Sequence, residues 1–368
     1  MIIFIEGLLR FRNIILINLI LFTGFSFART LILPSEPNIR YTGRIDDRSA
    51  DNYRFDWPGI SIEAMFEGTS CAIQMNGAGE QFNIFIDDQP VKVIKTDSAM
   101  YKVYDLVSGL KDTVHRLLIT KRFVRKNVIS EFRGIILDSG KTLLPLSSRP
   151  RYRIEFIGAS TLNGFGNEAS TLRCDSTVVE NSSNCFDSYG PVAARLLEAE
   201  YAVIALNSKG IARNWASPFI KSFNTFPEFY TRTLSNESDL TWGYDKWIPH
   251  IVVVNLGVND FSTKPHPPSI LFRNYYWAFL QFIYQIYPEV DIICLTSDKE
   301  PLRSLISDIV KQEKEQGNER IHFFDYNPIP THERGCDWHP NTVAHRKIAK
   351  KLVDKMEPIL KRKFKNAE

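Results

Sequence analysis

From Tyr152 onward the chain repeats one rhythm, an apolar run of strand length followed by a helix-length stretch, and that rhythm leaves few folds open. The runs IEFIG, YAVIALN, HIVVVNLG, VDIICLTS and RIHFFDY are interleaved with SYGPVAARLLEAE, LFRNYYWAFLQFIYQI, PLRSLISDIVKQEKE and AHRKIAKKLVDKM. Buried parallel strands read as continuous apolar runs, and each needs a right-handed crossover to reach the next. The pattern therefore predicts an α/β domain over residues 151–364, with a parallel sheet and helices on both faces. Ligands in such a fold bind outside the carboxyl ends of the strands. The informative residues should lie just after each run.

The preceding stretch has a different grammar. SIEAMFEG, CAIQMNGAG, FNIFIDDQ, VKVIKTD, HRLLITKR and EFRGIILDSG are short alternating segments separated by turn residues, with no long amphipathic helix among them. This predicts an antiparallel sandwich of the jelly-roll kind over residues 38–148, joined to the α/β half through a segment containing Pro145 and Pro150. At the N-terminus, Arg10 and Arg12 precede IILINLILFTGFSFA, an apolar run short for a bilayer span that ends in Ser26-Phe27-Ala28. That is the layout of a signal peptide covering residues 1–28, so the expected location is secreted, or extracellular, with no stable membrane association after cleavage. Export permits disulfides among the five cysteines, and Cys174 with Cys185 reads as a local bridge across a Ser/Asn-rich insertion. The 45 Lys+Arg against 42 Asp+Glu give a net charge of only +3, which indicates no nucleic-acid partner.

Three post-strand positions carry chemistry together. Ser160 follows the run RIEFIG and is flanked by Gly158, Gly164 and Gly166; Asn259 lies in GVND after HIVVVNL; His339 lies in DWHPN before the last helix. Ester hydrolysis needs a hydroxyl nucleophile, an imidazole that takes and returns its proton, and donors for the oxyanion, and these residues supply one of each. Trp338, beside the histidine, is the expected aromatic wall for a sugar substrate, whereas Trp247 and Trp277 read as core. His332, Cys336, Asp337 and His339 lie close together but lack the paired ligand spacing of a zinc site, so no metal is expected. No nucleotide-binding motif is present either, and the expected cofactor list is empty.

In order and architecture the sequence resembles the SGNH, or GDSL-like, hydrolases, and more closely carbohydrate esterase family 2. The likeness rests on YTGRIDD, FDWPGISIEAMFEGTSCAIQM, HRLLITKR, FRGIILDSGKTL, IEFIGASTLNGFG, SKGIARN, NLGVND and GCDWHPN. It implies an all-β jelly roll followed by an SGNH-type three-layer α/β/α domain, and a secreted serine esterase that removes acetyl groups from polysaccharides or oligosaccharides such as acetylated xylan or glucomannan. By this resemblance Ser160 is the nucleophile and His339 the general base. Asn259 and a turn amide, Gly210 or Ser208, hold the oxyanion, and Asp337 is a possible helper of a Ser–His dyad because Cys336 occupies the position where many members carry an acid. Ala159 and Ser208 depart from the Gly-Asp-Ser and Ser-Gly-Lys-Gly patterns. The alternatives they leave open are a catalytically impaired carbohydrate-binding relative and an esterase acting on a different acylated small molecule.

Overall fold

The structure, a computed structural model, describes residues 29–97, 101–297, 299–326 and 328–364. The expected signal segment lies outside the described residues. Among them, no helix is long and apolar enough to cross a membrane.

The first half is two antiparallel sheets face to face. One runs Asp46–Ser49, Asn52–Phe55, Ser130–Leu137, Cys71–Asn76, Lys102–Val107, with Thr30–Ile32 also paired to Ser130–Leu137. The other runs Leu143–Leu144, Ser61–Gly68, Thr113–Lys121, Gln81–Ile86, Gln89–Lys95, with Ile39–Thr42 also paired to Ser61–Gly68. In Ser61–Gly68 the alternate side chains Ile62, Ala64 and Phe66 are fully buried between the sheets. A period of two, with one apolar face, is what a half-covered antiparallel strand requires.

In the second half five parallel strands are ordered Ala199–Ala205, Tyr152–Gly158, Ile251–Asn255, Asp291–Ser297, Ile321–Tyr326. The second strand in sequence sits outside the first, so the order reverses between Tyr152–Gly158 and Ile251–Asn255. A crevice opens at the carboxyl ends there. Both faces are covered. Ile154, Phe156, Val253 and Leu295 pack under Tyr189–Leu196 and Thr342–Phe364, while Ile157, Val252, Val254 and Cys294 pack under Ser269–Ile286 and Leu302–Glu315.

The two halves share a core. The cluster that contains Ile157, Val254 and Phe272 is continuous with Phe55, Trp57, Ile62 and Phe132 of the sandwich. Polar contacts close the seam. Asp56, fully buried, accepts hydrogen bonds from the backbone N–H groups of Ser235 and Asn236, each at 2.8 Å, and Trp57 Nε1 donates to the Thr233 carbonyl at 2.9 Å. Arg44 pairs with Glu155 at 3.2 Å with both side chains out of solvent, and its guanidinium lies 4.7 Å from the centre of the Tyr230 ring. The sandwich also braces the other domain near the serine turn, where Cys185 N donates to the Arg122 carbonyl at 2.6 Å.

The cysteines correct the sequence-based expectation. Cys174 is bonded to Cys336, across 162 positions, and Cys185 is a buried thiol whose Sγ lies 3.7 Å from the Leu162 carbonyl. The insertion folds toward the histidine turn, whereas Asn184 leads Cys185 inward into a short 3₁₀ turn, so the two residues face different neighbours. Trp277 also departs from expectation: it lies on the outer face of its helix, about half exposed, with Nε1 donating to Glu313 at 2.6 Å.

Candidate active site

The strand Tyr152–Gly158 ends at the crevice and the chain turns at once. Asn163 N returns to the Ala159 carbonyl at 3.0 Å and Phe165 N to the Ser160 carbonyl at 3.1 Å, which leaves Ser160 at the head of a compact loop. Gly166 adopts φ +55°, and a Cβ there would sit 2.3 Å from Cys336 Cβ. That close approach admits only glycine. It presses the serine loop against the turn carrying the histidine.

His339 completes the contact. Its Nε2 lies 2.8 Å from Ser160 Oγ, and its Nδ1 lies 3.0 Å from the Cys336 carbonyl oxygen. A carbonyl can only accept, so Nδ1 carries the hydrogen and Nε2 is the atom free to take a proton from the hydroxyl. Burial pushes the imidazole pKa below its ordinary value, opposed by the Cys336 carbonyl and the nearby Asp337 charge. The ring is thus neutral, and basic, at neutral pH. Phe165 covers one side of it, with ring centres 4.6 Å apart. Asp337 lines the cavity, but the group facing Nδ1 is the Cys336 carbonyl.

Asn259 follows the strand Ile251–Asn255, within the short helix Val258–Phe261. Its Nδ2 donates to the Lys209 carbonyl at 2.8 Å, which fixes the amide plane and leaves its second hydrogen unused by that bond. Next to it, the fully buried Asp260 accepts from the N–H groups of Ile211, Ala212 and Arg213 at 3.0, 2.8 and 2.8 Å. Burial pushes this carboxyl up to about 6, against the three N–H groups that hold it down. Asp260 therefore clamps the loop after Ala199–Ala205 beside Asn259. Adjacency to Asn259 was visible in the sequence; its burial was not.

Ser160, His339, Asn259, Ser208 and Trp215 line one cavity of about 550 Å³. Two expected residues are not part of it. Gly210 N donates to Asn214 Oδ1 at 3.2 Å, so that amide is engaged within its own turn, and Ser208, at φ +62°, is the turn residue on the cavity wall. Trp338 is about half exposed and lies off the lining, because the left-handed conformations of Asp337 and Trp338 turn its side chain out as they bring His339 in. The aromatic side chains that line the cavity are Phe165 and Trp215.

Comparisons with known proteins agree with this architecture. Residues 41–146 match the family described as Carbohydrate esterase 2 N-terminal. The chain is 28% identical over 326 residues to the Cellulase/esterase CelE of Acetivibrio thermocellus, covering 86% of this chain but only 39% of that protein. It is 26% identical to an Acetylxylan esterase / glucomannan deacetylase of Cellvibrio japonicus, covering 83% of this chain and 86% of the relative. A solved family two carbohydrate esterase from Clostridium thermocellum, in complex with cellohexaose, superposes with a TM-score of 0.82 at 27% identity, over 88% of this chain and 99% of that one.

Proposed function

We propose that this relative of the family 2 carbohydrate esterases is a serine esterase that removes O-acetyl groups from polysaccharides of the xylan or glucomannan type. The observation that carries the reading is the 2.8 Å contact between Ser160 Oγ and His339 Nε2, with the opposite ring nitrogen on a carbonyl. Ser160 Oγ attacks the ester carbonyl as Nε2 takes its proton. The tetrahedral oxyanion forms where Asn259 Nδ2 and the backbone N–H groups of Ser160 and Ser208 converge. His339 then protonates the departing sugar hydroxyl, leaving an acetyl-serine. Water, deprotonated by the same nitrogen, releases acetate and restores the hydroxyl. Asp337 contributes charge near the ring, and the Cys336 carbonyl fixes the tautomer.

The working unit is a sandwich over residues 38–148 and a catalytic domain over 151–364, exported by the segment 1–28. Export is supported by the Arg10/Arg12 and Ala28 pattern and by the disulfide of Cys174 with Cys336, a bond that persists in oxidising compartments. The test is acetate release from acetylated xylan, acetylated glucomannan and p-nitrophenyl acetate, with Ser160→Ala alongside. Release from the polymers that vanishes in the variant supports the reading. Equal rates for the two proteins would discard it in favour of a non-catalytic glycan binder, and release from p-nitrophenyl acetate alone would move the substrate to a smaller ester.

A further inference from the structure

The turn that presents His339 is held in an unusual way. Asp337 and Trp338 are consecutive residues with side chains at φ +48° and +65°, a left-handed conformation that persists only where its surroundings over-determine it. The carbonyl facing His339 Nδ1 belongs to the residue just before this pair, Cys336, which is fully buried. Within the turn, Gly335 N reaches the His339 carbonyl at 2.8 Å and His339 N the Cys336 carbonyl at 3.0 Å. From outside, the segment that follows the serine loop grips the turn twice. Asp337 N donates to the Leu172 carbonyl at 2.9 Å, and Cys174 is bonded to Cys336 itself. That segment is irregular from Glu168 to Asp175 and has no helix or strand of its own to supply stiffness.

We propose that the Cys174–Cys336 disulfide is a positioning element for His339, holding the Cys336 carbonyl on Nδ1 in the role that a carboxylate at that position would otherwise play. The inference rests on the serine-esterase reading above. With the bond intact, one backbone group is fixed at both ends: through its side chain to the serine side of the crevice, and through its carbonyl to the imidazole. When the bond is reduced, a dithiol attacks one sulfur to form a mixed disulfide. Its second thiol then closes a cyclic disulfide, and Cys174 and Cys336 leave as two thiols, having gained two electrons and two protons. The Asp337–Trp338 pair is then free to relax toward negative φ, which withdraws the carbonyl and lets the ring turn away from Ser160.

The experiment uses the full folded chain and p-nitrophenyl acetate. Steady-state kinetics are measured for oxidised protein, for protein reduced with dithiothreitol, for Cys174→Ser and for Ser160→Ala, with near-UV circular dichroism recorded on the same samples. The expected result for reduced protein and for Cys174→Ser is a native near-UV spectrum, KM within about twofold, and kcat lower by about 10²-fold, the scale of a misplacement near 1 Å. The acid limb of kcat should also move to lower pH, because the Cys336 carbonyl and the Asp337 charge, which raise the pKa of His339, withdraw together with the turn, while Lys299 and His345, the other charged or titratable groups acting on the ring, lie outside it. Reoxidation should restore the wild type and not the variant. Unchanged kcat and acid limb in folded, reduced protein would overturn the proposal. So would loss of the near-UV signal together with activity, which assigns the bond to stability alone. If oxidised wild type is no faster than Ser160→Ala, the esterase reading itself has failed, and the His339 ring titration followed by NMR, compared between oxidised protein and Cys174→Ser, still decides whether the bond sets the imidazole's environment.

Discussion

Asn259 carries the most easily isolated of the proposed roles, because its amide lines the cavity and, among the described residues, hydrogen-bonds to the Lys209 carbonyl alone. Asn259→Ala should lower kcat by about 10²–10³-fold, or about 3–4 kcal/mol of barrier, with KM little changed. Stopped assays against wild type would check it. Asp337→Asn should cost far less than the roughly 10⁴-fold loss that follows when a carboxylate is the sole partner of Nδ1, since here a carbonyl fills that place. His339 must be neutral to accept the serine proton, and burial lowers its pKa from the ordinary 6.5, so the acid limb of kcat/KM should fall below pH 6.5. That Ser160, His339 and Asn259 would come together at one crevice was legible in the sequence, because position after a strand restricts where a side chain can lie. Gly210 and Trp338 were expected at the cavity and lie off its lining. Within a turn, adjacency in sequence says nothing of direction: at Asp337 and Trp338 a pair of left-handed residues turns one side chain out and the next one in.

At the level of elements, the loop after Ala199–Ala205 is shaped by the carboxylate of Asp260 rather than by its own sequence. Asp260→Asn keeps the volume but places an amide against three N–H donors, so thermal stability should drop and kcat should fall with it as Ser208 and Lys209 shift. The titration of Asp260 gives a second check. Its folded pKa, about 6, lies above the ordinary 3.8, so the native state binds a proton the unfolded chain has released in that window. The wild type should therefore lose stability relative to Asp260→Asn as pH rises from 4 to 6, and the difference should level off above; denaturant titrations at several pH values would measure it. The parallel strands were legible because burial on both faces writes a continuous apolar run. Lys102–Val107 was missed because it edges its sheet and carries KVYDLV, of which only Leu106 is buried, and Asp46–Ser49 and Asn52–Phe55 were missed because they are four residues each and rich in charge, Arg54 pairing with Asp46 beside it and with Glu237 across the seam. The Cys174–Cys336 pairing was beyond any local reading: its partners meet only because the serine and histidine turns do.

Across the whole molecule, the seam behaves as interior. Arg44 and Glu155 are each about 1–2% exposed, and Tyr230 OH donates to the second Glu155 oxygen. Removing one partner of such a pair strands the other charge, so Arg44→Ala should destabilise the protein by about 3–5 kcal/mol. Calorimetry should show one transition for the wild type rather than two, because the apolar cluster runs from Phe55 and Trp57 through Val254 to Phe272 without a break. The sequence announced two rhythms and a proline-marked joint. It did not announce that the joint bridges a common interior, since contacts such as that of Asp56 with Ser235 and Asn236 span 179 and 180 positions and leave no periodic trace.

That common interior also governs descent. A recombination event at the prolines would leave apolar surface bare on both halves, and a lineage that discards the sandwich must first evolve another cover for the α/β half's share of that cluster.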